Sequence, residues 1–338
     1  MEKKQLRIFI AVAYGITFLM GFLMWYGNAK GLDISAFPNA QMLYPAAGVM
    51  LAYLLTKKQD ADMPRGFYIA FCACTAVLML LAIISIFVPI KPIEVQGLTI
   101  SIWTLIVQYI MILGSVVCWI LYGVAGKQKR STYGLSWNKS KATWVMVGLF
   151  ILLYILRTIV ACLISGSLAE FGQNMMSATT WISVISLPVN FFLVFVAFFG
   201  EEYGWRYYLQ PLLQKKFGLR RGVLVLGVVW GLWHLPIDFF YYTSVEMGLI
   251  AAVSQQITCI TLGIFFAYAY MKTDNIWVPV ILHFLNNNLI PVITGNYSTD
   301  VLENQQFAWV DIPIALILNG IFFGIFIFAK EFADKDKE

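Results

Sequence analysis

Long apolar runs alternate with short polar stretches along this chain. They fall near residues 8–27, 40–56, 67–90, 99–125 and 143–167, and again near 182–212, 222–242, 247–271, 276–295 and 308–329. Each is close to the roughly 20 residues that an α-helix needs to cross a bilayer. The pattern predicts an all-α, polytopic transmembrane helix bundle of about ten spans. The first run has ordinary spanning length, follows MEKKQLR and precedes no small-residue cleavage pattern, so it is expected to persist as a helix and not as a cleaved signal.

Basic residues orient these spans, because cytoplasmic loops hold the Lys and Arg excess. Alternate loops carry Lys3, Lys4 and Arg7; Lys57, Lys58 and Arg65; Lys127, Lys129, Arg130, Lys139 and Lys141. The same parity continues with Lys215, Lys216, Arg220 and Arg221, then Lys272, then Lys330, Lys335 and Lys337. These are nineteen of the 23 basic residues, whereas the opposite loops hold only Lys30 and Lys91. Both termini are therefore expected in the cytoplasm, and the location is a multi-pass cell membrane protein, with the short loops pointing to a bacterial plasma membrane.

Composition agrees with this architecture and removes other classes. With 338 residues, 60% of them hydrophobic and 12% charged, the chain cannot cover the surface of a soluble protein. The net charge of +5 describes topology and not a nucleic-acid surface, and no Walker motif or RNA-binding module is present. The partner implied is the lipid bilayer, with no nucleic acid. Five cysteines, Cys72, Cys74, Cys118, Cys162 and Cys259, fall within the spans, and their odd number argues against a disulfide framework; they read as small apolar filler. No internal repeat is visible, so a single polytopic unit is expected. Its parts are N-terminal helices of unassigned role over 1–180, a core over 181–295 that holds nearly all the candidate chemistry, and a last helix with a charged tail over 296–338.

Charges inside a span are costly and face a protein interior or a water-filled cavity. Glu201, Glu202 and Arg206 are such charges, as is Arg157. Glu202 and Arg206 share a helix face in the favourable order for an ion pair. Glu201, rotated by about 100° from Glu202, points elsewhere, and Arg157 is one partner open to it. The two histidines, His234 and His283, also lie in predicted spans. Counted from Lys215, Arg221 and Lys272, Glu201, His234 and His283 lie 14, 13 and 11 residues along. That is roughly 21, 20 and 17 Å of helix at about 1.5 Å per residue, so the three protonatable groups share one layer. Asn287 follows His283 by four, on the same face, and its amide can donate to a developing oxyanion.

The combination EExxxR at Glu201, Glu202 and Arg206, aromatic-xxx-His at Trp230 and His234, and His-xxx-Asn at His283 and Asn287 resembles the CAAX prenyl endopeptidase and bacteriocin-processing family, called CPBP or Abi, of intramembrane proteases. The three motifs stand in the family's order, and the resemblance covers about residues 180–295. Trp230 departs from it, since phenylalanine usually opens the second motif.

The resemblance implies a hydrolase that cuts a peptide bond of a peptide or protein substrate in or at the membrane. Glu201 is then the general base for a water, Asn287 with His283 stabilises the oxyanion, His234 positions the water or the carbonyl, and Glu202 and Arg206 hold the helix. No cofactor is preferred. Zinc on Glu201, His234 and His283 is the alternative, because the family is often labelled a metalloprotease and these are plausible zinc ligands; the HExxH spacing is missing. Other readings stay open for single residues: a structural ion pair for Glu202 and Arg206, interhelical contacts for the histidines, and for Asp238 a group that orients His234, binds substrate or caps the helix near Pro236. The tryptophans and tyrosines, Tyr241 and Tyr242 among them, read as interfacial belts. Two other functions fit the same fold: a membrane binding, immunity or regulatory protein that does not cut, and a transporter with charges along a pathway.

Overall fold

Where no water reaches the backbone, a segment must satisfy its own hydrogen bonds, and a helix does so internally. The computed structural model describes residues 2–95, 98–295, 303 and 305–333, and Lys335 and Lys337 lie outside them. Helix α1 (Glu2–Ala29) is followed by a broken pair, α2 (Ala36–Gln41) and α3 (Tyr44–Thr56), and by α4 (Arg65–Phe87). Strands β1 (Ile93–Val95) and β2 (Leu98–Ile100) then precede α5 (Ile102–Val124), a short α6 (Gly126–Thr132), α7 (Ser140–Ser165) and a short α8 (Leu168–Met176). The core follows as α9 (Ala178–Phe217), α10 (Leu219–Phe240), α11 (Val245–Thr273) and α12 (Trp277–Thr294), and α13 (Asp311–Phe322) runs on into 3-10 turns.

The fold class is the expected all-α polytopic bundle, and eight of these helices are long and apolar enough to cross a membrane: α1, α4, α5, α7, α9, α10, α11 and α12. The runs expected near 40–56 and 308–329 are shorter, as helices of 13 and 12 residues. In the first, Pro45 opens a new helix after the turn at Met42 and Leu43, a place proline tolerates because its missing N–H is unneeded there. In the second, α13 gives way at Phe323 to the 3-10 turn Gly324–Phe328. The hairpin was not expected. It pairs Ile93 with Ile100 and Glu94 with Thr99 in antiparallel register, after Pro89 and Pro92 have ended the helical pattern.

Hydrogen bonds gather the loops into two ends. At one end Gln5 donates to Thr56 (2.9 Å), Tyr133 to Asp60 (2.5 Å), Asn138 to the Asp274 carbonyl (2.7 Å) and Lys272 to Glu331 (3.1 Å). At the other, Ser85 donates to the Asp33 carbonyl, Asn28 to the Phe240 carbonyl and Tyr241 to Glu303. The first end is the one whose loops carry the basic residues.

Helix α9 meets the α2–α3 break through two glycines one turn apart. A Cβ on Gly200 would lie 2.4 Å from the Met42 carbonyl oxygen, and one on Gly204 2.4 Å from Pro45 Cβ. Small residues at this spacing let helix backbones touch, which fixes the rotation of α9 and hence the direction of Glu201 and Glu202 between them. Past Glu202 the helix widens into a π segment, Tyr203–Leu209.

Reporters fused after Arg65, Lys141 or Lys216 are expected to read cytoplasmic, and those after Glu170 or Glu303 external. An external reading at Lys141 would reverse the orientation.

Candidate active site

The core helices α9 to α12, with α2, enclose a cavity of about 540 Å³. Glu201, Trp230, His234, His283 and Asn287 all line it, so residues more than 80 positions apart in sequence meet at one place. Glu202 and Arg206 do not line it. They sit directly behind the wall, both with 0% of their surface exposed.

Glu202 ties two helices together. One carboxylate oxygen accepts from Arg206 Nε at 2.8 Å, and the other accepts from His283 Nδ1 at 2.9 Å. The expected i,i+4 pair is thus present, with a second duty: it sets the ring of His283 and leaves Nε2 free of that contact. The Arg206 guanidinium carbon lies 4.7 Å from the Trp230 ring centroid and 5.6 Å from that of Phe266, so aromatic faces take the charge that its remaining nitrogens carry.

Trp230 holds the other two groups. Its indole N–H donates to Glu201 at 2.7 Å, and its backbone carbonyl faces His234 Nδ1 at 2.9 Å. Because a carbonyl can only accept, a neutral His234 carries its proton on Nδ1 and keeps a lone pair on Nε2. The sequence pattern places His234 mid-helix, but α10 breaks there. Pro236 has no N–H to continue the ladder, and the short stretch Leu235–Phe240 sets off anew. Asn286 donates its amide to Asn287 Oδ1 at 3.0 Å, which leaves the Asn287 amide hydrogens as donors beside His283.

Several residues stand elsewhere than expected. Arg157 does not pair with Glu201. It donates to Asn319 at 2.8 Å and lies 4.8 Å over the Tyr154 ring, at the cavity's rim. Asp238 neither orients His234 nor caps a helix. It is 1% exposed, lines the cavity, and among the described residues no hydrogen-bond donor reaches either carboxylate oxygen. Tyr242, read as part of an interfacial belt, lines the cavity, and Cys259, read as filler, lines it too, with Sγ 3.7 Å from His234 Nδ1. The depth count for His283 began at Lys272, but α12 starts only at Trp277. All five cysteines are free.

Among the described residues no three His, Cys, Asp or Glu side chains form a group that could hold a metal ion. The zinc set of Glu201, His234 and His283 does not fit as these side chains stand.

Fold and site together define a multi-pass α-helical membrane protein with a glutamate, two histidines and an asparagine around a buried cavity. Residues 180–289 match the family described as type II CAAX prenyl endopeptidase Rce1-like. The chain is similar to CAAX prenyl protease 2 of Methanococcus maripaludis, 27% identical over 163 residues, which are 47% of this chain and 59% of that protein. It is also similar to a Bacillus subtilis protein named "Putative membrane peptidase YdiL", 25% identical over 104 residues, 30% of this chain and 41% of the other. The chain thus spans less than two thirds of the length of the curated relatives it matches. No solved structure matches it significantly.

Arg206→Ala leaves Glu202 buried without its counter-charge. It is expected to cost about 3–5 kcal/mol, read as a lower unfolding temperature of the purified protein in detergent, whereas Glu201→Gln should unfold close to wild type.

Proposed function

We propose that the protein is an intramembrane endopeptidase that hydrolyses a peptide bond of a membrane-associated peptide or protein, with Glu201 activating the water. The observation that carries this reading is the shared cavity, in which Glu201, both imidazoles and the Asn287 amide face one space. The names of the two relatives, a CAAX prenyl protease and a membrane peptidase, support the same class.

In this reading Trp230 occupies one oxygen of Glu201 and the other takes the proton of a water molecule. The lone pair on His234 Nε2 holds that water, since Nδ1 is engaged with the Trp230 carbonyl. The water oxygen attacks the peptide carbonyl, and the charge that develops on the carbonyl oxygen is met by the Asn287 amide. His283, fixed through Nδ1 to Glu202, supplies a second N–H at Nε2 in its imidazolium form. Glu201 then passes its proton to the departing amine as the C–N bond breaks. A glutamate held among aromatic rings and out of bulk water serves as such a base. A transporter would instead need polar groups strung along a path, whereas these converge on one layer.

A membrane-peptidome comparison tests the core of this proposal. Glu201→Gln keeps size and polarity but removes the base, and the peptides produced by wild type are expected to vanish. Equal peptide output from the two proteins would eliminate the mechanism.

The metal-free form of the proposal has its own test. Purified protein treated with a strong, membrane-permeant chelator is expected to keep most of its activity, and Asn287→Ala should slow turnover about a hundredfold or more with little change in substrate binding. Activity lost on chelation and restored by stoichiometric zinc would reassign Glu201, His234 and His283 as ligands.

A further inference from the structure

Asp238 has no assigned work in the chemistry just described, yet it is placed where only work explains it. It follows His234 by one helical turn, is 1% exposed and lines the cavity, and among the described residues neither of its oxygens has a hydrogen-bond donor. A buried carboxylate left in this way is destabilising by several kcal/mol as an order of magnitude, and a polar group of this kind is expected to be partnered. Its protein surroundings offer little. His234 Nδ1 is turned to the Trp230 carbonyl, and Tyr242 and Cys259, which share the cavity wall, make no hydrogen bond to it.

The charges around the cavity indicate what would complete it. Glu202 is balanced by Arg206 behind the wall. Among the described residues of the wall stand two carboxylates, Glu201 and Asp238, and no cation faces the second: the Arg157 guanidinium is engaged by Asn319 and the Tyr154 ring, and His283 is held by Glu202. A neutral backbone amide would give Asp238 a donor but no counter-charge, whereas a cation supplies both.

We propose that Asp238 is a substrate-binding residue that receives a protonated amine or guanidinium, the side chain of a lysine or arginine near the scissile bond. The inference rests on the proteolytic reading of the cavity. It makes the enzyme selective for a basic residue at one position: the incoming cation gives Asp238 its counter-charge, and a neutral side chain leaves it buried and unpaired. Discrimination that relies on an unpaired polar group is stronger than discrimination by size alone.

Cut sites supply the test. Peptides released by wild type and missing with Glu201→Gln are expected to carry lysine or arginine at one fixed position relative to the cut. In a synthetic peptide copied from such a product, lysine replaced by norleucine should lower kcat/KM of the wild-type protein about tenfold or more. With Asp238→Asn, which keeps the side chain's shape, the two peptides should be cut at similar rates. If Asp238→Asn fails to fold, as read by thermal unfolding, the lysine and norleucine comparison on wild type decides alone. Glu201-dependent products without a basic residue, or a norleucine peptide cut as fast as its lysine parent, would overturn the role of Asp238 while leaving proteolysis intact. The absence of any Glu201-dependent product would overturn the proteolytic reading itself.

Discussion

The polar layer of this protein depends on the carboxylate of Glu202. Removing an ion of its size from water into a dry interior costs on the order of 20 kcal/mol in the idealised limit, and only close counter-charge and hydrogen bonds on both oxygens can offset that. Arg206 and His283 supply them, at 2.8 and 2.9 Å. The two bonds run in different directions, one along α9 and one across to α12. The same interaction that neutralises the charge therefore also sets where His283 stands relative to Glu201, the next residue back along the chain. If Glu202 were lost, Arg206 would be left buried among aromatic rings, and the imidazole would lose its orientation at the same time.

Trp230 extends this arrangement to the other half of the site. Its indole N–H reaches Glu201, its ring lies against the Arg206 guanidinium, and its carbonyl faces His234. A phenylalanine in its place would keep the ring and the carbonyl but not the N–H. Glu201 is thus held by a hydrogen bond that a phenylalanine could not give, and one of its oxygens is engaged by the indole. The other oxygen is left with a defined direction, which suits the role proposed for Glu201.

Much of this was legible in the sequence, and the reasons differ between fold and site. Spans were legible because the bilayer imposes a length and an apolar composition on every crossing, and the basic loops mark a common end. The two crossings that fell short are those where a turn or a 3-10 stretch interrupts the helix, around Met42 and after Phe323, since hydropathy averages over such breaks. Glu202 with Arg206, and His283 with Asn287, were legible because i,i+4 spacing is a local property. The bonds from Glu202 to His283 and from Trp230 to Glu201 were not, because they join different helices and no spacing in the chain encodes them. Asp238 lies between these cases: its place one turn past His234 could be counted, but its lack of a partner among the described residues only the packing reveals.

The helices ahead of residue 180 enter the site through the break in α10. Where Pro236 interrupts the ladder, carbonyls near the end of the first segment lose their usual donors. Gln41 Nε2 donates to the Trp233 carbonyl at 3.1 Å, the Tyr14 hydroxyl donates to the Val229 carbonyl, and the Trp233 indole donates back to the Ala13 carbonyl at 2.8 Å. Gln41 and Met42 also form part of the cavity wall. The bend that turns His234 toward Glu201 and exposes Asp238 to the cavity is therefore stabilised from α1 and α2, outside the segment that matches the family. Conformation at the cavity is shared between the motif-bearing helices and the N-terminal ones, so changes in α1 or α2 can alter the cavity's shape without touching any motif residue.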